Sequence, residues 1–189
     1  MKLRSAVGAL ALVAIAVLAG CSTNGSQSAV PFGFEPNAHK NASMQLVGYW
    51  DGWSKNNLVD TPSGVTEIPL AFGFLHGHTI TTAGGIDAGY VTASDIDALH
   101  SRGIKVTLSL GGWSPKNSFV FDGNVAGFDA SLGKLLATLP LDGVDFDMEH
   151  GSTADRVKTL TTLIPAARAY FNSIGMTGAI VTYTGWNTP

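Results

Sequence analysis

Three carboxylates stand two residues apart, Asp145, Asp147 and Glu149, with Val144, Phe146 and Met148 between them. Successive side chains on a strand point to opposite faces. The alternation therefore predicts a strand over 141–149 with three acids on one side and apolar packing on the other. Like charges crowded beside apolar surface are costly to ionise together, so such a row shares a proton or binds a cation. A rise of about 3.3 Å per residue sets Asp147 and Glu149 roughly 6–7 Å apart along the backbone, which side chains can close. The row should retain one proton as a group, favouring a protonated Glu149 that can act as an acid near neutral pH. The rival is Ca²⁺ or Mg²⁺ held through oxygens, but no adjacent Asp/Asn-rich loop completes a shell, so neither a metal nor a cofactor is expected. Asp142 reads as a structural cap on the loop entering the strand. The isolated His76-Gly77-His78 reads as a solvated loop rather than a metal site.

Strand-like and helix-like patterns alternate from Met44 onward. Short apolar runs at 45–50, 67–75, 104–110 and 178–183 join the acidic run as five strand candidates, with Pro69 near the start of the second, where a missing N–H is tolerated. A helix over about 92–101 has Ser94 or Thr92 to cap it and Gly103 to stop it. Helical spacing also covers 125–139 and 153–174, where Pro165 should kink or divide the helix. Strands alternating with helices predict a parallel sheet with crossover helices, its strands covered on both sides. A doubly wound sheet would carry a phosphate-binding turn after its first strand, and none is present.

The first twenty residues read as a signal rather than as fold. Lys2 and Arg4 precede a short apolar run, and Leu18-Ala19-Gly20-Cys21 follows as a small-residue cleavage site. The run is short for a membrane span. Leu-Ala-Gly-Cys resembles the bacterial lipobox, which implies lipidation of Cys21 and a membrane-anchored or secreted envelope protein. Cys21 is the only cysteine, so no intrachain disulfide can form. Residues 21–43, rich in Ser, Asn, Gly and Pro, read as a flexible tether. Without residues 1–20 the chain keeps 9 basic and 14 acidic residues, a net charge of −5, with no electrostatic footprint for nucleic acid.

Asp142-Gly143-Val144-Asp145-Phe146-Asp147-Met148-Glu149 resembles the D-G-x-D-x-D-x-E signature of family 18 glycoside hydrolases, the chitinases and endo-β-N-acetylglucosaminidases. Upstream, Ser109-Leu110-Gly111-Gly112-Trp113 is similar to that family's S-x-G-G motif. Val47-Gly48-Tyr49-Trp50 and Leu70-Ala71-Phe72-Gly73-Phe74 resemble its first two strands. The resemblance runs over about 45–183. It implies an α/β fold of the (β/α)8 TIM-barrel type, with active residues at the C-terminal strand ends. It also implies a chitin-like substrate containing N-acetylglucosamine and a substrate-assisted, retaining reaction. On that resemblance Glu149 is the acid, Asp147 orients the sugar's acetamido group, and Asp145 shares a proton beneath it. Tyr49 and Ser109 hydrogen-bond the innermost aspartate. Gly111 and Gly112 let the backbone turn beside the site, and Trp113 stacks on the sugar, with plain core packing as its rival. His150 either touches substrate or closes the loop.

A barrel of this type needs eight strand–helix units over about 250 residues. Five are readable, so a partial barrel over 44–189, truncated after about the fifth strand, is the expectation. The family's sixth-strand M-x-Y-D element and eighth-strand Trp have no match, and neither Tyr183 nor Trp186 is assigned to those roles.

Overall fold

The computed structural model describes residues 44–54, 56–113 and 118–185. The signal segment 1–20, Cys21, the tether and Trp186 lie outside the described residues.

Five strands form a parallel path: β1 (Trp50–Asp51), β2 (Glu67–Gly77), β4 (Lys105–Gly111), β6 (Gly143–Asp147) and β7 (Ile180–Tyr183), hydrogen-bonded in that order. Two short strands extend it, β3 (Thr79–Thr82), antiparallel to β2, and β5 (Phe119–Phe121), parallel to the end of β2. Crossovers carry α1 (Gly84–Asp87), α2 (Ala93–His100), α3 (Val125–Leu136) and α4 (Thr153–Ser173), with a 3₁₀ turn at Leu58–Asp60. This is a mixed α/β fold of the TIM-barrel type whose sheet, among the described residues, is not closed. No described helix is long and apolar enough to cross a membrane.

Register divides the sheet into two chemically distinct faces. Leu70, Leu108 and Val144 fall in line across β2, β4 and β6, with Val106 and Phe146 on the same side. They are buried beneath Ile96 and Leu99 of α2, Phe128 and Leu132 of α3, and Leu160, Leu163, Ala167 and Phe171 of α4. Phe146 meets Phe119 and Phe128 at ring-centroid distances of 6.1 and 6.2 Å. The opposite face carries Glu67, Thr107, Ser109, Asp145 and Asp147, all buried. A β-bulge after Ala71 shifts the pairing, so Gly73 comes opposite Leu110. Beyond it Phe72 turns to the polar face, where its ring lies against Gly112.

Several element boundaries differ from the expected ones for local reasons. The first strand reduces to Trp50–Asp51 plus a bridge from Val47 to Glu67. The acidic strand ends at Asp147, leaving Glu149 two residues beyond it. α3 ends at Leu136, and turn hydrogen bonds from Ala137, Thr138 and Leu139 carry the chain to Pro140, which has no N–H to continue them. Pro165 does not divide α4, which is continuous through it. The His76–His78 segment is not a loop throughout: β2 runs to Gly77 and turns into β3, and His78 Nδ1 lies 2.8 Å from Asp122 Oδ2. Capping follows side-chain chemistry. Thr92 and Asp95 form a reciprocal capping box on α2, Asn124 caps α3 and Ser152 caps α4.

Candidate active site

The polar face converges on Asp145, which is 1 % exposed. Its Oδ2 accepts from Tyr49 Oη at 2.8 Å and from Ser109 Oγ at 2.9 Å. Its Oδ1 accepts from Thr182 Oγ1 at 2.8 Å, and Thr184 Oγ1 lies 3.2 Å from both oxygens. Tyr49 and Thr184 are themselves 2.5 Å apart. Residues flanking the two outermost parallel strands thus reach one carboxylate, so the sheet curls around its polar face. Tyr49 is 37 % exposed as a residue, yet its hydroxyl reaches Asp145. Burial and the negative charge of Asp145 push that hydroxyl well above the usual phenol range. Hydroxyl donors occupy both oxygens of Asp145, which leaves little room for a cation. Among the described residues no group of three His, Cys, Asp or Glu is arranged to hold a metal ion.

Asp147 sits one step nearer the mouth and is 5 % exposed. Its Oδ1 is buried and has no hydrogen-bond partner among the described residues. Burial first, then the charges of Glu149 and Asp145, push its carboxyl up to about 7. The carboxyl so perturbed is Asp147, where the sequence favours a proton on Glu149. The reason is position: Asp147 is still within the strand and buried, whereas Glu149 stands past the strand end and is half-buried. The coupling of the two acids does follow from their spacing.

Backbone geometry explains the two glycines. Gly112 N donates to Asp147 O at 2.9 Å. Gly111 has φ +124°, and a Cβ there would lie 2.1 Å from Asp147 O. At Gly112, φ is +84° and a Cβ would meet the Phe72 ring at 2.8 Å. Only glycine allows the end of β4 to press this closely on the acid row. Trp113 follows, 60 % exposed, so it is not a core residue. Its ring lies 4.8 Å from that of His150, and its carbonyl contacts His150 Nε2. His150 thus fastens the loop after β6 to the loop after β4.

Asp142 lies at the other end of the sheet. Its carboxylate accepts from Val106 N at 2.8 Å, His100 Nε2 at 2.7 Å and Lys105 Nζ at 2.8 Å. Burial alone would raise it, but the Lys105, Val106 and His100 contacts together hold it below the usual carboxylate range. It ties β4, β6 and α2 together and takes no part in the mouth. Glu67, also on the polar face, is pushed up by burial and accepts from Thr107 Oγ1 at 3.1 Å.

Three members of this neighbourhood are not found by motif reading. Thr182 in the last strand and Thr184 just past its end stand two residues apart, in the parity that matches Asp145; that alternation was the available signal. Trp53, 65 % exposed, stacks on Phe72 with centroids 6.0 Å apart, and only its place just after a strand end marks it.

A buried carboxyl raised to about 7, an acid beside it at the sheet's C-terminal rim, and exposed indole rings nearby lie together on a barrel-type sheet. Residues 45–182 match the model of glycosyl hydrolases family 18, and the chain belongs to that family. Endochitinase 4 of Metarhizium robertsii is 27 % identical over the matched stretch, which covers 65 % of this chain and 41 % of that protein. A family GH18 chitinase from Chromobacterium violaceum matches with a TM-score of 0.57 and 27 % identity, covering 72 % of this chain and 39 % of that one. The Legionella pneumophila ChiA C-terminal domain matches with a TM-score of 0.53 and 25 % identity, covering 74 % and 46 %. The chain spans about two-fifths of the length of the curated relative it matches.

Proposed function

We propose that this acid row hydrolyses β-1,4 bonds next to N-acetylglucosamine in chitin-like polymers, by substrate-assisted acid catalysis with retention. The observation that carries the reading is the buried, unpartnered Oδ1 of Asp147 beside Glu149. An orphaned acceptor is costly to bury, and the acetamido N–H of a bound sugar would satisfy it. Asp147 passes the proton it holds to Glu149, which delivers it to the glycosidic oxygen and leaves Asp147 as the anion. The acetamido carbonyl attacks its own anomeric carbon, the leaving sugar departs, and an oxazolinium ion forms. Asp147 orients the acetamido group and offsets the positive charge, and water then opens the ring from the face the leaving group vacated. Tyr49 and Ser109 fix Asp145 beneath, Gly111 and Gly112 keep the backbone close, and Trp113 offers a stacking surface for the sugar. The chitinase names of the relatives support chitin over other polymers of N-acetylglucosamine. Residues 44–189 would be the catalytic part, with 1–20 a lipoprotein signal, 21–43 a tether and Cys21 the lipid-bearing residue at the cell envelope.

The test is release of N-acetylglucosamine oligomers from chitin by this chain and by Glu149→Gln. Loss of release by the variant supports the reading; equal release by both ends it. The second reading, a surface protein that holds the polysaccharide without cutting it, is favoured by the open sheet and the exposed indoles. It predicts oligosaccharide binding with no turnover at high protein concentration.

A further inference from the structure

Asp145 is a buried carboxylate with no cationic partner among the described residues. The groups that face it are Tyr49 ahead of β1, Glu67 at the start of β2, and Asp147 and Glu149 along and beyond β6. β4 contributes the neutral Thr107 and Ser109, and the charges nearest its far end, Lys105 and His100, are engaged with Asp142. A lone buried anion must be stabilised by hydrogen bonds or take up a proton. The donors are all hydroxyls, and two of the four come from the last strand and the residue just past its end. Thr182 pairs with Asp145 in the β6–β7 ladder, and Thr184 N donates to Phe146 O at 3.0 Å, so backbone register fixes both side chains. Tyr49, Ser109 and Thr182 each have one proton to give, and each is within 2.9 Å of Asp145. No hydrogen bond links Asp145 to Asp147, and Asp147 Oδ1 is left unpartnered.

We propose that Thr182 and Thr184 are positioning residues: their hydroxyls hold Asp145 as a fixed anion, so the proton the acid row retains resides on Asp147. The threonines decide which of two neighbouring acids is neutral. With them in place, Asp145 is saturated and its charge disfavours ionisation of Asp147, which carries the proton at the position nearer Glu149. Without them the proton moves down to Asp145, and Asp147 loses one of the charges that, after burial and Glu149, hold its carboxyl up. The value of this to catalysis rests on the hydrolase reading above; the proton's location does not.

The experiment is a carbon-detected pH titration of the Asp147 carboxyl in the full chain, alongside Thr182→Val, Thr184→Val, the double variant and Thr182→Ser. Valine keeps the shape and removes the hydroxyl; serine keeps the hydroxyl. The expected result is a wild-type midpoint near 7. It should fall in Thr182→Val by up to about one unit, bounded by one hydrogen bond to a charged group because the Thr182 hydroxyl acts on Asp147 only through Asp145. The fall should be larger in the double variant and absent in Thr182→Ser. A folded Thr182→Val with the wild-type midpoint overturns the proposal, as does an equal fall in Thr182→Ser. Should the double variant not fold, the two Thr182 variants still decide it. Failure of the wild-type chain to cut chitin while these midpoints move would remove the hydrolase reading alone. Unmoved midpoints beside normal cleavage would remove this inference alone.

Discussion

Asp147→Asn tests the electrostatics of the acid row without requiring any sugar to be cut. The folded state raises this carboxyl from 3.8 to about 7, so between those values the folded chain binds a proton that the unfolded chain has released. Stability therefore falls as pH rises through that window. The contribution is fully present below about pH 4 and lost above about pH 7. A shift of about three units at 1.36 kcal/mol per unit sets the change at about 4 kcal/mol, an upper value because rearrangement around the ionised group recovers part of it. Asparagine has nearly the same shape and no proton to lose. Its own packing and hydrogen-bonding cost is the same at every pH and cancels in a comparison of slopes. The assay is urea unfolding of both proteins at half-unit steps from pH 4 to 8. Wild type should lose stability relative to the variant as pH rises, with the steepest change between about 4.5 and 6.5. Parallel stability curves for the two proteins across that range would refute the claim that Asp147 is the perturbed acid.

Gly111→Ala forces a Cβ to 2.1 Å from Asp147 O at a φ of +124°. Positive φ costs about 1–2 kcal/mol and the lost Gly112 N–H bond about 1 more, so melting should drop by roughly 6–12 °C. Calorimetry reads this directly; an unchanged midpoint would mean the loop has room the structure denies. Asp142→Ala strips three donors of a charged partner at the opposite end of the sheet. It should cost about 2–3 kcal/mol at neutral pH by urea unfolding. Because this carboxyl is held below its ordinary range, the stability it gives is present above about pH 4 and lost as pH falls through the folded value. The gap between wild type and variant should therefore close in acid.

The parallel path and the acid row were legible because both depend on period-two alternation. β4 and β6 carry uninterrupted alternation, and Asp145 and Asp147 fall on the side their parity predicts. β2 was only partly legible: Gly73 and Gly77 blur its pattern, and the bulge after Ala71 reverses which residues face the site. β5 is three residues long, too short to carry a period. Thr182 and Thr184 escaped notice because hydroxyls have no signature until a buried carboxylate is known to lie opposite. The position of the proton could not be read from spacing alone. Spacing says that acids are coupled; depth says which one stays neutral, and depth is a property of where the strand ends.

The glycine of the Asp142-Gly143 pair links the motif to the threonines. A Cβ at Gly143 would lie 1.8 Å from Ile180 O, so only glycine lets β7 approach β6 at this point. Ile180 N donates to Asp142 O at 2.9 Å, which starts the ladder one residue before that close contact. From there the register runs Gly143 with Ile180, Val144 with Val181 and Asp145 with Thr182. A one-residue slip would turn Val181 and Tyr183 onto the polar face and carry both threonines to the apolar side. Asp145 would then keep only Tyr49 and Ser109 as donors, and a valine would stand against a buried carboxylate. The same slip would push a threonine among the side chains of α4. The helix-packed face and the acid face therefore enforce one register together, and the missing side chain of Gly143 is where that register begins.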